Sequence, residues 1–191
     1  FQHRRLQRDL DIVLFDPKEN IHLREPFSVL KRAHAIFLKQ DSDEPLPGGL
    51  TGRFPAAHFF TYRVVAQGVH SVTHPEASAL ADWEGETILA FCGIAKPERF
   101  FSLLESHGIR AVRKMEFADH HPYSPRDITR IRTQVEKLGA RAAFTTEKDA
   151  VKLGSRPDCR DLPLYYVKIA LDIDPTFYEY MTSRLGHITC A

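Results

Sequence analysis

The stretch FADHHPYSPRD, residues 117–127, sets a carboxylate and two imidazoles side by side at Asp119, His120 and His121. Such groups can bind a metal, move a proton, or cap and solvate a loop. Metal binding asks the most of them, because adjacent residues on an extended loop point in opposite directions and a site needs three or four converging ligands. Proton transfer asks less: one imidazole, and a carboxylate that holds its tautomer. Two further polar stretches flank this one, CGIAKPE at 92–98 and TTEKDAVKL at 145–153. In the first, Gly93 permits a tight turn and Pro97 suits the first turn of a helix. In the second, the Thr146 hydroxyl is placed to cap a helix whose dipole Glu147 and Asp149 would complement.

The elements that carry these stretches alternate. The apolar runs DIVLF (11–15), AIFLK (35–39), AHFFTYRVV (57–65), TILAF (87–91), IRAVRKMEF (109–117), RAAFTT (141–146) and PLYYVKIAL (163–171) read as strands. Between the later ones lie helices. Phe100, Leu103 and Leu104 recur at helical spacing after Pro97, and Gly108 stops that helix. Ser124, Pro125 and Asp127 form an N-cap signal for a second helix that Gly139 terminates. Asp174 and Pro175 open a last one through TFYEYMTSRLG. The segment QDSDEPLPGGLTGRFP (40–55) reads as a loop or linker, and Gly68–Gly85 as irregular. This βαβ alternation predicts an α/β fold, a largely parallel sheet with helices on both faces in three α/β/α layers. In such sheets ligands gather at the carboxyl ends of the strands, where all three polar stretches are expected to lie.

Composition narrows the function classes. With 191 residues and 43% hydrophobic side chains the chain can bury a core, and 26 basic against 25 acidic residues give a formal charge of +1. That balance supplies no general attraction to nucleic acid, and HRRLQR (3–8) is one local basic cluster. The three cysteines, Cys92, Cys159 and Cys190, form no CxxC pair, so a disulfide framework or zinc ribbon is not expected and a reducing cytosol is the simpler setting. No apolar run approaches the roughly 18–20 residues of a membrane span. The chain opens at Phe1 without a Met and is expected to be a fragment of a longer protein.

Five ordered blocks carry a resemblance: FQHRRLQRDLDIVLFD, LREPFSVLKRAHAIFL, LAFCGIAKPERFF, FADHHPYSPRDI and TTEKDAVKL. Together they resemble the carboxyl-terminal portion of the tetraacyldisaccharide 4'-kinase family of lipid A biosynthesis. The resemblance implies a P-loop kinase-like fold of two α/β/α lobes joined by a short β linker. On that pattern residues 1–55 are the remnant of the nucleotide-binding lobe, 56–86 the linker, and 87–191 the complete second lobe, whose last strand and helix could return to the linker or first lobe. It implies ATP and Mg²⁺ as cofactors, with their main ligands upstream, since the chain contains no GxxxxGK[ST]. GGLTGRF (48–54) lacks the terminal Lys-Ser/Thr and reads as linker.

By the same resemblance, His120 is the histidine that partners a catalytic carboxylate of the first lobe, with Asp119 fixing its tautomer. Glu25 stands near the active site, and Gln2, His3, Arg24 and Lys148 in the vicinity of nucleotide or substrate. The implied substrate is a lipid disaccharide 1-phosphate, met at the inner face of a Gram-negative inner membrane by a cytoplasmic, peripheral enzyme that binds no nucleic acid. Arg4, Arg5 and Arg8 would suit an anionic substrate or surface. PKENIH (17–22) is shorter than the family's corresponding stretch, which bears on where Glu25 sits and on activity. The chain alone is expected to be inactive. Two other readings stay open: a metal-dependent phosphoesterase with an Asp-His-His loop, and a non-catalytic α/β binding module.

Overall fold

The computed structural model describes residues 8–16, 26–40 and 49–188. The chain divides into two compact units, residues 1–64 with 171–191 and residues 65–170. Strands β3 (His58–Ser71) and β8 (Leu164–Ile173) contribute residues to both.

In the first unit, β1 (Ile12–Phe15) runs parallel to β2 (Ala35–Lys39), and β2 runs parallel to the opening of β3. The pleat sends alternate β2 side chains to opposite faces. Ile36 and Leu38 join Phe15, Leu30 and Phe54 on one side. Ala35 and Phe37 join Phe60 and Tyr62 on the other, packed by Phe177 and Tyr180 of α5 (Thr176–Ile188). Phe54 follows the short helix α1 (Leu50–Arg53) and is buried, so this end of the Pro- and Gly-rich stretch is core rather than linker.

The second unit holds the three polar stretches. The segment expected to be irregular from Gly68 instead continues β3 to Ser71, where it pairs antiparallel with β4 (Ala77–Ser78). The reason is local. Val69 is fully buried, and a Cβ on Gly68 would sit 3.1 Å from the Ser78 carbonyl oxygen, so glycine here admits a neighbouring backbone rather than ending a strand.

Beyond it lie β5 (Thr87–Cys92), α2 (Pro97–Ser106), β6 (Arg110–Glu116), α3 (Pro125–Leu138), β7 (Ala142–Thr146) and α4 (Glu147–Leu153), leading to β8. The parallel strands stand in the order β6-β5-β7-β8. Parallel neighbours need crossover connections, and the helices supply them. The chain steps from β5 outward to β6, then returns past β5 to β7, so its direction of winding reverses at β5. That reversal puts the helices on opposite faces. Ile88, Ala90 and Cys92 pack with Phe100, Phe101 and Leu104 of α2, whereas Leu89 and Phe91 pack with Ile128, Ile131 and Val135 of α3 and Leu153 of α4. The three-layer α/β expectation holds in this unit.

Among the described residues no helix is long and apolar enough to cross a membrane. Ile131 has no solvent exposure and ties α3 to the sheet. Ile131→Ala is expected to lower unfolding stability by about 2–5 kcal/mol through lost burial plus a residual cavity, read as a reduced urea midpoint.

Candidate active site

A reversal of winding opens a space at the carboxyl ends of the two strands involved, the usual ligand position in open α/β sheets. Here those strands are β5, which ends just before Gly93, and β7, which ends at Thr146. The loop after β6 carries Asp119, His120 and His121 to the same end. The three stretches are joined by specific bonds.

Asp149, on the first turn of α4, is fully buried. Its Oδ2 accepts from the Gly93 N–H at 2.8 Å and from the Thr146 hydroxyl at 2.9 Å, and its Oδ1 accepts from Lys152 Nζ at 2.9 Å. A buried carboxylate needs such partners, since losing one leaves a group desolvated at about 1–3 kcal/mol. The Asp149 N–H in turn donates to Thr146 Oγ1, the cap that the sequence signals. Lys152 also donates to the carbonyl of His121 at 3.2 Å, and its ammonium lies 5.6 Å from the centre of the Tyr123 ring.

Burial, and after it the charge of Asp149, shifts two neighbours upward. The Cys92 thiol is pushed up to about 12 and the Tyr123 phenol is raised above its usual range. Cys92 is thus a thiol at neutral pH and no nucleophile.

The loop from Phe117 to Tyr123 is locked by its backbone. Phe117 N–H donates to Cys92 O at 2.9 Å, His120 N–H to Gly93 O at 3.1 Å, and His121 N–H to Ala118 O at 3.0 Å. Arg156 Nη1 donates to Tyr123 O at 2.7 Å. Two non-glycine residues, His120 at φ 60° and Tyr123 at φ 44°, occupy the left-handed region. Each costs roughly 1–2 kcal/mol, so the surrounding bonds must over-determine the loop. A Cβ on Gly93 would stand 3.1 Å from both Ala118 O and His121 Cβ and 3.2 Å from the Tyr123 oxygen. Glycine is therefore favoured by close approach of the loop, beyond any need for a turn.

The two histidines part company here. His121 packs at a tilt against Phe117 and meets Tyr123 edge-on, at ring-centre distances of 4.8 and 5.0 Å, and its Nε2 lies 3.0 Å from Asp127 Oδ2. Asp127 also accepts from the Ser124 N–H and hydroxyl, each at 2.7 Å, closing the expected cap of α3. His120 faces outward, its side chain 74% exposed. Its Nε2 lies 3.4 Å from Lys148 Nζ and 3.8 Å from Asp119 Oδ2. Lys148 donates to Asp119 Oδ1 at 3.0 Å, and this bond holds the Asp119 carboxyl below the ordinary carboxylate range. Asp119 is thus engaged mainly by Lys148, and its approach to the imidazole is longer than a hydrogen bond.

Asp119, His120 and Lys148 are therefore brought together at one exposed spot. Gln2, His3, Arg24 and Glu25 lie outside the described residues, as do Arg4 and Arg5; Arg8 Nε stands 3.2 Å from Asp11 Oδ1. The metal reading of the Asp-His-His loop has little support in this geometry, because the two imidazoles diverge. Among the described residues no three His, Cys, Asp or Glu side chains gather to hold an ion. Sequence reasoning placed Asp149 at a helix dipole and Gly93 in a turn. Their contact spans 56 positions, and no local spacing rule registers it.

The sequence profile described as tetraacyldisaccharide-1-P 4'-kinase matches residues 1–186. Curated proteins named tetraacyldisaccharide 4'-kinase are similar throughout. One from Koribacter versatilis is 35% identical over 91% of this chain and 51% of its own length. Another from Syntrophobacter fumaroxidans is 35% identical over 80% of this chain and 44% of its own, and one from Desulfotalea psychrophila 30% identical over 100% and 56%. The chain thus spans about half the length of the curated relatives it matches. Among solved structures, LpxK from Aquifex aeolicus, crystallised with ATP, superposes with a TM-score of 0.68 at 22% identity, covering 98% of this chain and 55% of that one. At that identity the likeness shows the fold.

The contacts around Asp127 have a pH consequence. Its hydrogen bond with His121, then those with Ser124, lower its carboxyl from 3.8 to about 2. A carboxyl depressed on folding contributes stability that is present above its unfolded value and lost as pH falls through the folded one. Urea unfolding should accordingly show a loss between about pH 4 and pH 2 that is smaller in Asp127→Asn; equal acid losses in both proteins would remove the assignment.

Proposed function

Because the chain belongs to the tetraacyldisaccharide-1-P 4'-kinase family, we propose that the whole protein moves the γ-phosphoryl group of ATP to the 4'-hydroxyl of tetraacyldisaccharide 1-phosphate, giving the 1,4'-bisphosphate lipid IVA. In this reaction the hydroxyl oxygen bonds to the γ-phosphorus, the bond to the ADP oxygen breaks, and the hydroxyl proton passes to a base. Phosphoryl transfer draws its acceleration from positioning and charge stabilisation, with proton removal as one component.

The observation that carries the reading on this chain is His120. Its imidazole faces solvent from a loop fixed by three backbone hydrogen bonds and one arginine, at the carboxyl ends of the strands where the winding reverses. That is a rigid mount for an exposed base. We assign it the role the family resemblance implies, pairing with a carboxylate of the nucleotide-binding lobe to receive the hydroxyl proton. Asp119 and Lys148 form the neighbouring ion pair, and the resemblance assigns Lys148 to the vicinity of nucleotide or substrate. Gln2, His3, Arg24 and Glu25 complete the proposed surroundings on the resemblance alone.

Mg²⁺, when bound, would neutralise charge on the transferring phosphates. Among the described residues no cluster of carboxylates and imidazoles forms its site. The lipid substrate implies that the protein works peripherally at the cytoplasmic face of the inner membrane, and recognition there falls to a phosphorylated sugar and its acyl chains.

The test is phosphoryl transfer by the full-length protein from Mg-ATP to the disaccharide 1-phosphate, with His120→Ala beside it. The proposal expects kcat to fall about 10²–10⁴-fold, the usual worth of a general base, with ATP affinity unchanged. A fully active variant would return His120 to the role of an exposed loop residue. An inactive parent would favour the binding-module reading.

A further inference from the structure

The buried Asp149 is connected to the His120 loop by two separate routes. The first runs through a single peptide unit on each side of Gly93. Asp149 Oδ2 accepts from the Gly93 N–H at 2.8 Å, and the Gly93 carbonyl accepts from the His120 N–H at 3.1 Å. The second runs through Lys152, whose ammonium donates both to Asp149 Oδ1 at 2.9 Å and to the His121 carbonyl at 3.2 Å. One carboxylate thereby fixes the backbone on both sides of the His120 side chain. None of these bonds is made by the imidazole itself.

We propose that Asp149, acting with Lys152, is a positioning residue for His120, setting the direction in which that imidazole faces the reacting hydroxyl. This rests on the kinase reading above. The arrangement has features that packing alone does not require. Among the described residues Asp149 is the sole buried charged side chain, and a buried charge is a costly way to cap a helix of seven residues that Thr146 already caps. The carboxylate sits where β5 and β7 end: Oδ2 holds Gly93, whose carbonyl accepts from the His120 N–H, and Oδ1 holds Lys152, which donates to the His121 carbonyl. His120 has φ 60°, a conformation that a non-glycine residue keeps only under constraint, and the bond from its N–H to Gly93 is one such constraint. Released from it, the imidazole would swing away while the sheet stayed intact.

The experiment uses the full-length protein and two variants. Asp149→Asn keeps shape and one acceptor but removes the charge that holds Lys152. Lys152→Met keeps an unbranched side chain and removes both donated bonds. Each should lower kcat about 10–100-fold with KM for ATP and lipid changed less than about twofold, as expected when a reacting group is misplaced by about 1 Å. In a His120→Ala background the same substitutions should have almost no further effect on kcat, because their action passes through the missing imidazole. Full additivity with His120→Ala would overturn the proposal, as would unchanged turnover in Lys152→Met.

A second readout separates this claim from the kinase reading. Hydrogen exchange of segment 117–123 should speed up in Lys152→Met while α3 stays protected. If the wild-type protein showed no kinase activity, the kinase reading would fail and with it the reacting hydroxyl, and exchange would decide what remains: faster exchange confined to 117–123 supports Lys152 holding the His120 loop, and unchanged exchange overturns it.

Discussion

A buried carboxylate must find donors, and Asp149 finds them at Gly93 after β5 and at Thr146 and Lys152 on its own stretch. That single constraint organises the functional end of the second unit. Its bond to the Gly93 N–H ties the end of β5 to the start of α4, and its pairing with Lys152 ties α4 to the loop after β6. The tightness at Gly93, where any Cβ would press on Ala118 and His121, follows from how closely those segments are drawn together. The raised thiol of Cys92 and phenol of Tyr123 follow from the same burial and the same charge.

On the loop after β6 two adjacent histidines have opposite fates, and the backbone explains why. With His120 in the left-handed region the chain turns between the two side chains, so one imidazole is sent out and the next is folded in against Phe117, Tyr123 and Asp127. His121 becomes part of the capping apparatus of α3, and His120 is left to meet whatever approaches. A metal site would need the two to converge. A proton-transfer site needs one imidazole presented rigidly, and the fold provides that.

Much of this was legible in the residues. The alternation of strands and helices, the Ser124 and Thr146 caps, the Gly139 terminator and the gathering of three polar loops all follow from local rules, since each depends on neighbours within a few positions. The contacts that were not legible share one property, sequence distance. Asp149 reads as a dipole residue on an exposed first turn, and nothing near it says that its partner lies 56 positions away. Tyr123 sits between Pro122 and Ser124 and reads as loop, yet it is almost fully buried because the loop folds onto the sheet. Gly68 reads as a strand breaker, whereas the antiparallel return of β4 makes it a point of close approach. The role proposed for His120 comes from the family resemblance and not from local rules, while the geometry shows how its loop is held.

The central claim is that the locked loop presents His120 as the base of a phosphoryl transfer. Its most direct test is the pH dependence of kcat/KM for the full-length protein against that of His120→Gln, with Mg-ATP and the disaccharide 1-phosphate. The Asp119 carboxyl is held below the ordinary carboxylate range by its hydrogen bond with Lys148. The account predicts an acidic limb in the parent that is absent from a slow, flat profile in the variant. An identical limb in both proteins, at comparable turnover, would contradict it.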